Sequence, residues 1–189
     1  MLTSLRTVAT MEETNAYRAI PQFAVSVSKL TVMSLCTFGL YELYWCYKQW
    51  DATRRREQEV LSPFWRAVFA PLWAFSLFPR IQELTAKHGV PAAWSGSGLA
   101  TAFLLLGATS RLPDPYWLVS FLSFLPLVVV QRSVNTLNAT VVPEAERNDR
   151  YSGANIVVIV IGGLLLLLAV WATLFPYSGT APSTRQVAA

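Results

Sequence analysis

The residues best suited to chemistry sit inside an apolar stretch. Glu42 lies in "LYELYWCYK", residues 40 to 48, among aromatic and aliphatic neighbours. A charged side chain at the centre of a bilayer costs roughly 2.5–3.5 kcal/mol on insertion scales, so a carboxylate kept there has a reason. Three readings stay open. Glu42 is paired, with Arg66 as the candidate partner; it handles a proton or a substrate; or it rests near a helix end, where the cost falls. Ser34, Thr37, Tyr41, Tyr44 and Lys48 step by 3, 4, 3 and 4, which places them on one face of a helix. Such a stripe faces protein or a wet groove, or its hydroxyls bond back to the helix's own carbonyls.

Lys48, Arg54, Arg55 and Arg56 follow directly. Each basic residue beside an anionic leaflet contributes about 1 kcal/mol, so the four are candidates for contact with anionic lipid headgroups. They also serve as a topology signal. Glu57 and Glu59 dilute the charge, and Asp51 with Arg55 and Arg55 with Glu59 form i, i+4 pairs that would steady a helix.

Other chemistry finds little support. There is no P-loop, dinucleotide glycine motif or G-x-S-x-G. No catalytic residue, cofactor or metal site is expected. Cys36 and Cys46 are ten residues apart, about 15 Å along one helix, too far for a disulfide. His88 precedes Gly89 and reads as a partner for a helix C-terminus. Asn135 and Asn138 could share a polar face. Asn138-Ala-Thr140 matches a glycosylation acceptor, taken as chance because Glu12 and Glu13 interrupt any signal-peptide core. A pI near 9.3 raises nucleic acid, but long apolar runs flank the basic residues and no binding signature accompanies them, so no nucleic-acid partner is expected.

The elements holding these residues follow from composition. Apolar residues make up 53% of the 189 and charged residues 14%, against about 25% charged in soluble domains. The expected class is an all-α polytopic membrane protein with one membrane domain over 23–176. It is flanked by a polar tail over 1–22 and a disordered tail over 177–189. Four stretches suit spans, at about 28–48, 92–110, 115–132 and 154–175. "RLPDP" makes the middle two a hairpin, and Pro126 should kink the second of them. The last span ends at Pro176, with Trp171 and Tyr177 in the interfacial belt. Its Gly162 and Gly163 either allow close helix approach or are merely tolerated in lipid. Residues 63–80 carry Pro63, Pro71 and Pro79 among aromatic rings, with 13 uncharged residues between Arg66 and Arg80, and suit an interfacial or re-entrant segment.

Charge placement chooses between topologies. If 63–80 does not cross, loops 48–90 and 131–153 share one face with ten positive residues, against five opposite, Lys29 among the five. Five spans would divide them six against eight and put Arg54 to Arg56 on the poorer face. The positive-inside rule therefore favours four spans, both termini outside, with five spans as the alternative.

The run Thr37-x-Gly39-x-Tyr41-x-x-Tyr44-Trp45-x-Tyr47 resembles the T-x-G-x-Y-x-x-Y-W-x-Y signature of an uncharacterised family of small bacterial inner-membrane proteins, a domain of unknown function. "SPFWRAVFAPLWAFSLF" is similar to the segment that follows it, and the resemblance covers residues 26 to 88. It implies a multi-pass bacterial cytoplasmic-membrane protein and no activity. Glu42 fills a variable position of the signature. The expected role is a non-enzymatic subunit or scaffold acting through helix packing and lipid contact, as a homo-oligomer or within a membrane complex. The alternatives are an oligomeric small-solute or ion transporter or channel, and a membrane-embedded lipid-modifying enzyme needing a second acid or histidine beside Glu42.

Overall fold

Serine side chains cap three of the helices described, and left-handed residues stop three of them. The Oγ atoms of Ser26, Ser95 and Ser152 accept from the backbone N–H three residues on, capping helices α1 (Val27–Cys36), α5 (Gly96–Ala108) and α7 (Gly153–Leu174). Between α1 and α5 lie α2 (Leu40–Glu57), α3 (Pro63–Val68) and α4 (Ala70–Lys87). After α5 come two 3-10 turns, Thr109–Arg111 and Tyr116–Ser123, and then α6 (Phe124–Val141). The structure is a computed structural model describing residues 21–175, and among these there is no strand. Most of the expected tails over 1–22 and 177–189, with Pro176 and Tyr177, lie outside the described residues.

The single helix expected over 28–48 is instead two. Phe38 and Gly39 both have positive φ, 53° and 85°. Gly39 N–H bonds Ser34 O at 3.0 Å and Phe38 N–H bonds Leu35 O at 3.3 Å. These two bonds form a Schellman stop, which ends α1 and sends the chain off in a new direction. The same pair of bonds, at Gly89 and Val90 onto Ala86 and Thr85, ends α4 where His88-Gly89 led one to expect an end.

Contacts fix the course of the chain. Pro21 and Gln22 share a cavity with Arg56 and Val142, Phe23 touches Tyr44, and Phe38 touches Phe121. Residues 21–38 therefore run opposite to α2. Arg56, Glu57 and Glu59 share a cleft with Arg80, Lys87 and His88, so the chain leaves this end after Glu59 and returns to it along α4. A bend at Phe69 separates α3 from α4. α5 then packs back on α4, with Gly96 so close that an added Cβ would lie 2.6 Å from Pro79 N. Pro126 lies in the first turn of α6, just after the 3-10 turn, and so costs that helix no interior bond.

Two ends result. The basic end gathers Lys48, Arg54 to Arg56, Arg80, Lys87, Arg147 and Arg150; the other, where Phe38, Ser110 and Ser120 meet, is the serine end. The charge count set Lys29 opposite Arg147 and Arg150. That is corrected: Lys29 Nζ donates to Asn148 Oδ1 at 2.9 Å and to Arg150 O at 2.7 Å, because the chain doubles back at Gly39. The termini, expected on one face, lie outside the described residues. The described chain begins at the basic end, and α7 leaves from that end alongside α1, reaching Cys36 at Gly162.

Only two helical stretches among the described residues, Tyr116–Val141 and Gly153–Leu174, are long and apolar enough to cross a membrane, not the four or five expected. The turn at Gly39 leaves α1 too short, α3 and α5 are short as well, and α2 and α4 reach the length but carry too many charged residues. The two that qualify differ in burial. α6 helps form the core, with Leu127, Val130 and Val134 fully buried. In α7 only Gly162 is buried, while Leu167 is 69% and Trp171 64% exposed.

Candidate functional site

Glu42 lies in the first turn of α2, just beyond the Phe38-Gly39 stop. It is 5% exposed and its carboxylate faces the 3-10 turn before α6. Ser123 Oγ donates to its two oxygens at 2.9 and 3.0 Å. Beside the pair lies a cavity of about 300 Å³. Phe38, Phe121 and Trp117 form one wall, with the Phe121 ring centroid 5.6 Å from each of the other two. Ser34, Ser110 and Ser120 supply the remaining polar lining. Ser34 is 2% exposed and its Oγ has no hydrogen-bond partner. No lysine, arginine, histidine or second acid lines this cavity among the described residues.

The expected stripe is divided by the break at Gly39. Ser34 faces the cavity. Thr37 Oγ1 donates to Met33 O at 2.7 Å and accepts from Tyr41 N at 2.9 Å, bridging the two helices. Tyr41 is buried against Tyr44, and Tyr44 meets Phe23 edge-on at 5.8 Å. Ser34 and Tyr44 therefore serve different neighbourhoods.

The pairing of Glu42 with Arg66 is overturned. The Arg66 guanidinium lies 4.3 Å from the Trp50 ring and 4.4 Å from the Trp73 ring. Trp50 and Trp73 belong to α2 and α4, so the cation joins α3 to both neighbours. A planar guanidinium stacks on two rings where an ammonium cannot. Arg66→Lys should lower stability by about 1 kcal/mol. The readout is thermal unfolding followed by tryptophan fluorescence. An unchanged transition would show that the stack contributes nothing.

The cations expected to meet lipid already have protein contacts. Arg54 and Arg55 both bridge to Asp51, at 2.7 and 3.2 Å, while their side chains stay about half exposed. Arg56 is largely buried and bonds Glu57 at 2.9 Å. Lys48 lies 5.6 Å from the Phe23 ring. Arg80 joins this end of α2 by bridging to Glu57 and Glu59.

Sequence reasoning missed two groups. One is the α5–α6 contribution to the Glu42 cavity, for which the three-residue spacing of Ser120 and Ser123 was the available signal. The other is a set of buried amides on α2 and α6. Asn138 accepts from Gln22 N at 3.0 Å and donates to Gln22 O at 2.8 Å. Asn135 donates to Val25 O, and Gln131 and Gln49 both donate to Phe23 O. Trp45 Nε1 closes the set on Gln131 Oε1 at 2.5 Å. The 4 and 3 spacing of Gln131, Asn135 and Asn138 was legible as a polar face, but its partner is bare backbone. Asn138, 6% exposed and bonded twice, is not an available glycosylation acceptor.

Comparisons with protein-family models, with curated proteins and with solved structures find no significant match.

Proposed function

We propose that the chain is a small multi-pass protein of the bacterial inner membrane, acting as a non-enzymatic subunit or scaffold through helix packing and lipid contact. α7 carries this reading. It is a 22-residue helix without a charge, seated on α1 and exposed over most of its apolar surface. Water would not cover such a surface; lipid or another helix would. The positive-inside rule puts the basic end in the cytoplasm. Return of the chain to that end at Arg80 supports a 63–80 segment that enters without crossing. Of the four cations named for lipid contact, Arg54 and Arg55 stay half exposed there and open to anionic headgroups.

Native mass spectrometry from lipid nanodiscs tests the scaffold reading. Copies of the chain or a second membrane protein should be retained, and Leu164→Asn with Leu168→Asn should release them. A lone chain carrying only lipid would overturn it. Single cysteines at His88, Arg147 and Asp114, in a C36A/C46A background, test the topology. An impermeant maleimide should reach the first two from the cytoplasm and the third from outside. Labelling of positions 88 and 147 from opposite sides would refute the proposed fold in the membrane.

A second reading, an oligomeric transporter of small solutes, is favoured by the Glu42 cavity alone. It predicts solute flux in proteoliposomes that Glu42→Gln abolishes; equal flux in that variant would sink it.

A further inference from the structure

The Glu42 cavity has an unusual balance of donors and acceptors. Ser110 and Ser120 spend their hydroxyl protons on Gly107 O and Trp117 O, at 2.8 and 2.7 Å. Ser123 spends its proton on Glu42. The oxygens these serines leave available are therefore acceptors. The carboxylate accepts from one hydroxyl, although it has about four lone-pair sites, and among the described residues no cation lines the cavity with it. Aromatic faces, which carry negative potential, complete the wall. Ser34 Oγ, buried and unpartnered, retains a free proton, and Trp117 adds an indole N–H to the lining. An anion would find few donors here and a buried carboxylate. A cation with N–H donors would find acceptors and rings.

We propose that this cavity binds a small organic ammonium, a protonated primary or secondary amine whose nitrogen pairs with Glu42 and whose carbon frame rests on Trp117 and Phe121. Each part of the site has a separate task. Glu42 supplies the counter-charge, and its burial makes that charge worth more than it would be in water. The free lone pairs of Ser110 and Ser120 take further N–H donors. Trp117 and Phe121 favour the cation and its apolar frame over an equally apolar neutral molecule. At about 300 Å³ the cavity lies at the small end of the range for ligand pockets, which suits a one-ring amine. The inference rests on the cavity itself and holds whether or not the ligand is carried across the membrane.

The probe is benzylammonium, with benzyl alcohol as its uncharged counterpart and sodium as an inorganic competitor. Calorimetric titration of the full chain in nanodiscs, corrected with empty nanodiscs, reads the binding. The cation should bind at least about tenfold more tightly than the alcohol, and Glu42→Gln should weaken it by a similar factor. Should Glu42→Gln not fold, Trp117→Leu leaves the carboxylate in place and should weaken the cation more than the alcohol. The proposal is overturned by a Kd above about 1 mM for the cation, by equal affinity for the alcohol, by displacement with sodium at constant ionic strength, or by full affinity in the folded variant.

Discussion

Replacing Gly162 by alanine separates α7 from α1, while the same replacement at Gly163 leaves the pair intact. The two positions are adjacent and equally apolar, so hydropathy cannot distinguish them. Geometry can. A Cβ on Gly162 would overlap the Cys36 carbonyl oxygen and lie 2.8 Å from its carbon and 3.3 Å from Cα. These are backbone atoms, so no rotamer change relieves the clash. A Cβ on Gly163 would meet only Cys36 Sγ, at 3.8 Å, an ordinary contact. Overpacking of this kind costs about 1–3 kcal/mol. For a chain of this length that is a fall in Tm of about 2–4 °C per kcal/mol. α7 packs mainly on α1, so the loss should appear as detachment of one helix rather than collapse of the core. Thermal unfolding in detergent measures the cost. A cysteine pair across α1 and α7 that cross-links in the parent and not in G162A identifies its location. Equal Tm values for G162A and G163A would refute the close approach.

Asn138→Ala releases the extended segment at residues 22–25. Asn138 serves both the N–H and the C=O of Gln22, as a neighbouring strand would. Removing it leaves two buried backbone groups without partners, at about 1–3 kcal/mol for each group. Asn138→Asp keeps an acceptor for the N–H and loses the donor to the C=O, so it should fall between the alanine variant and the parent. Hydrogen exchange at Gln22 and Phe23 should rise in that order. Gln131→Leu, which removes the donor to Phe23 O and the acceptor of Trp45, should act in the same direction. Unchanged exchange in all three variants would mean that the amides do not hold the segment.

What was legible in the sequence divides by physical cause. The charge-free run from 154 to 174 announced α7, because an apolar helix of that length has few other places to go. "RLPDP" announced the reversal between α5 and α6, since proline and a short polar link interrupt helices locally. The reversal at Phe38-Gly39 was hidden. Hydropathy reports transfer from water and carries no sign of direction, so an apolar run that turns looks the same as one that continues. Gly39 was even quoted within the family-like signature, yet the left-handed Phe38 before it has no residue preference to reveal it. That hidden turn accounts for the misplaced Lys29. Glu42 stands out in the sequence as an acid within an apolar stretch and it is buried, but its partner Ser123 lies 81 residues away, and no local pattern joins them.

The amides that hold residues 22–25 also impose an order of events. Those backbone groups cannot satisfy themselves, because the segment is extended, and their partners on α6 are more than one hundred residues downstream. During synthesis the segment emerges first and its anchor emerges late. Until α6 is in place, the backbone groups of Gln22 and Val25 must keep their hydrogen bonds to water, whereas Phe23 O has a nearer donor in Gln49 of α2. On this chain, the first described residues are therefore among the last to settle, and α6 is the element that ends the wait.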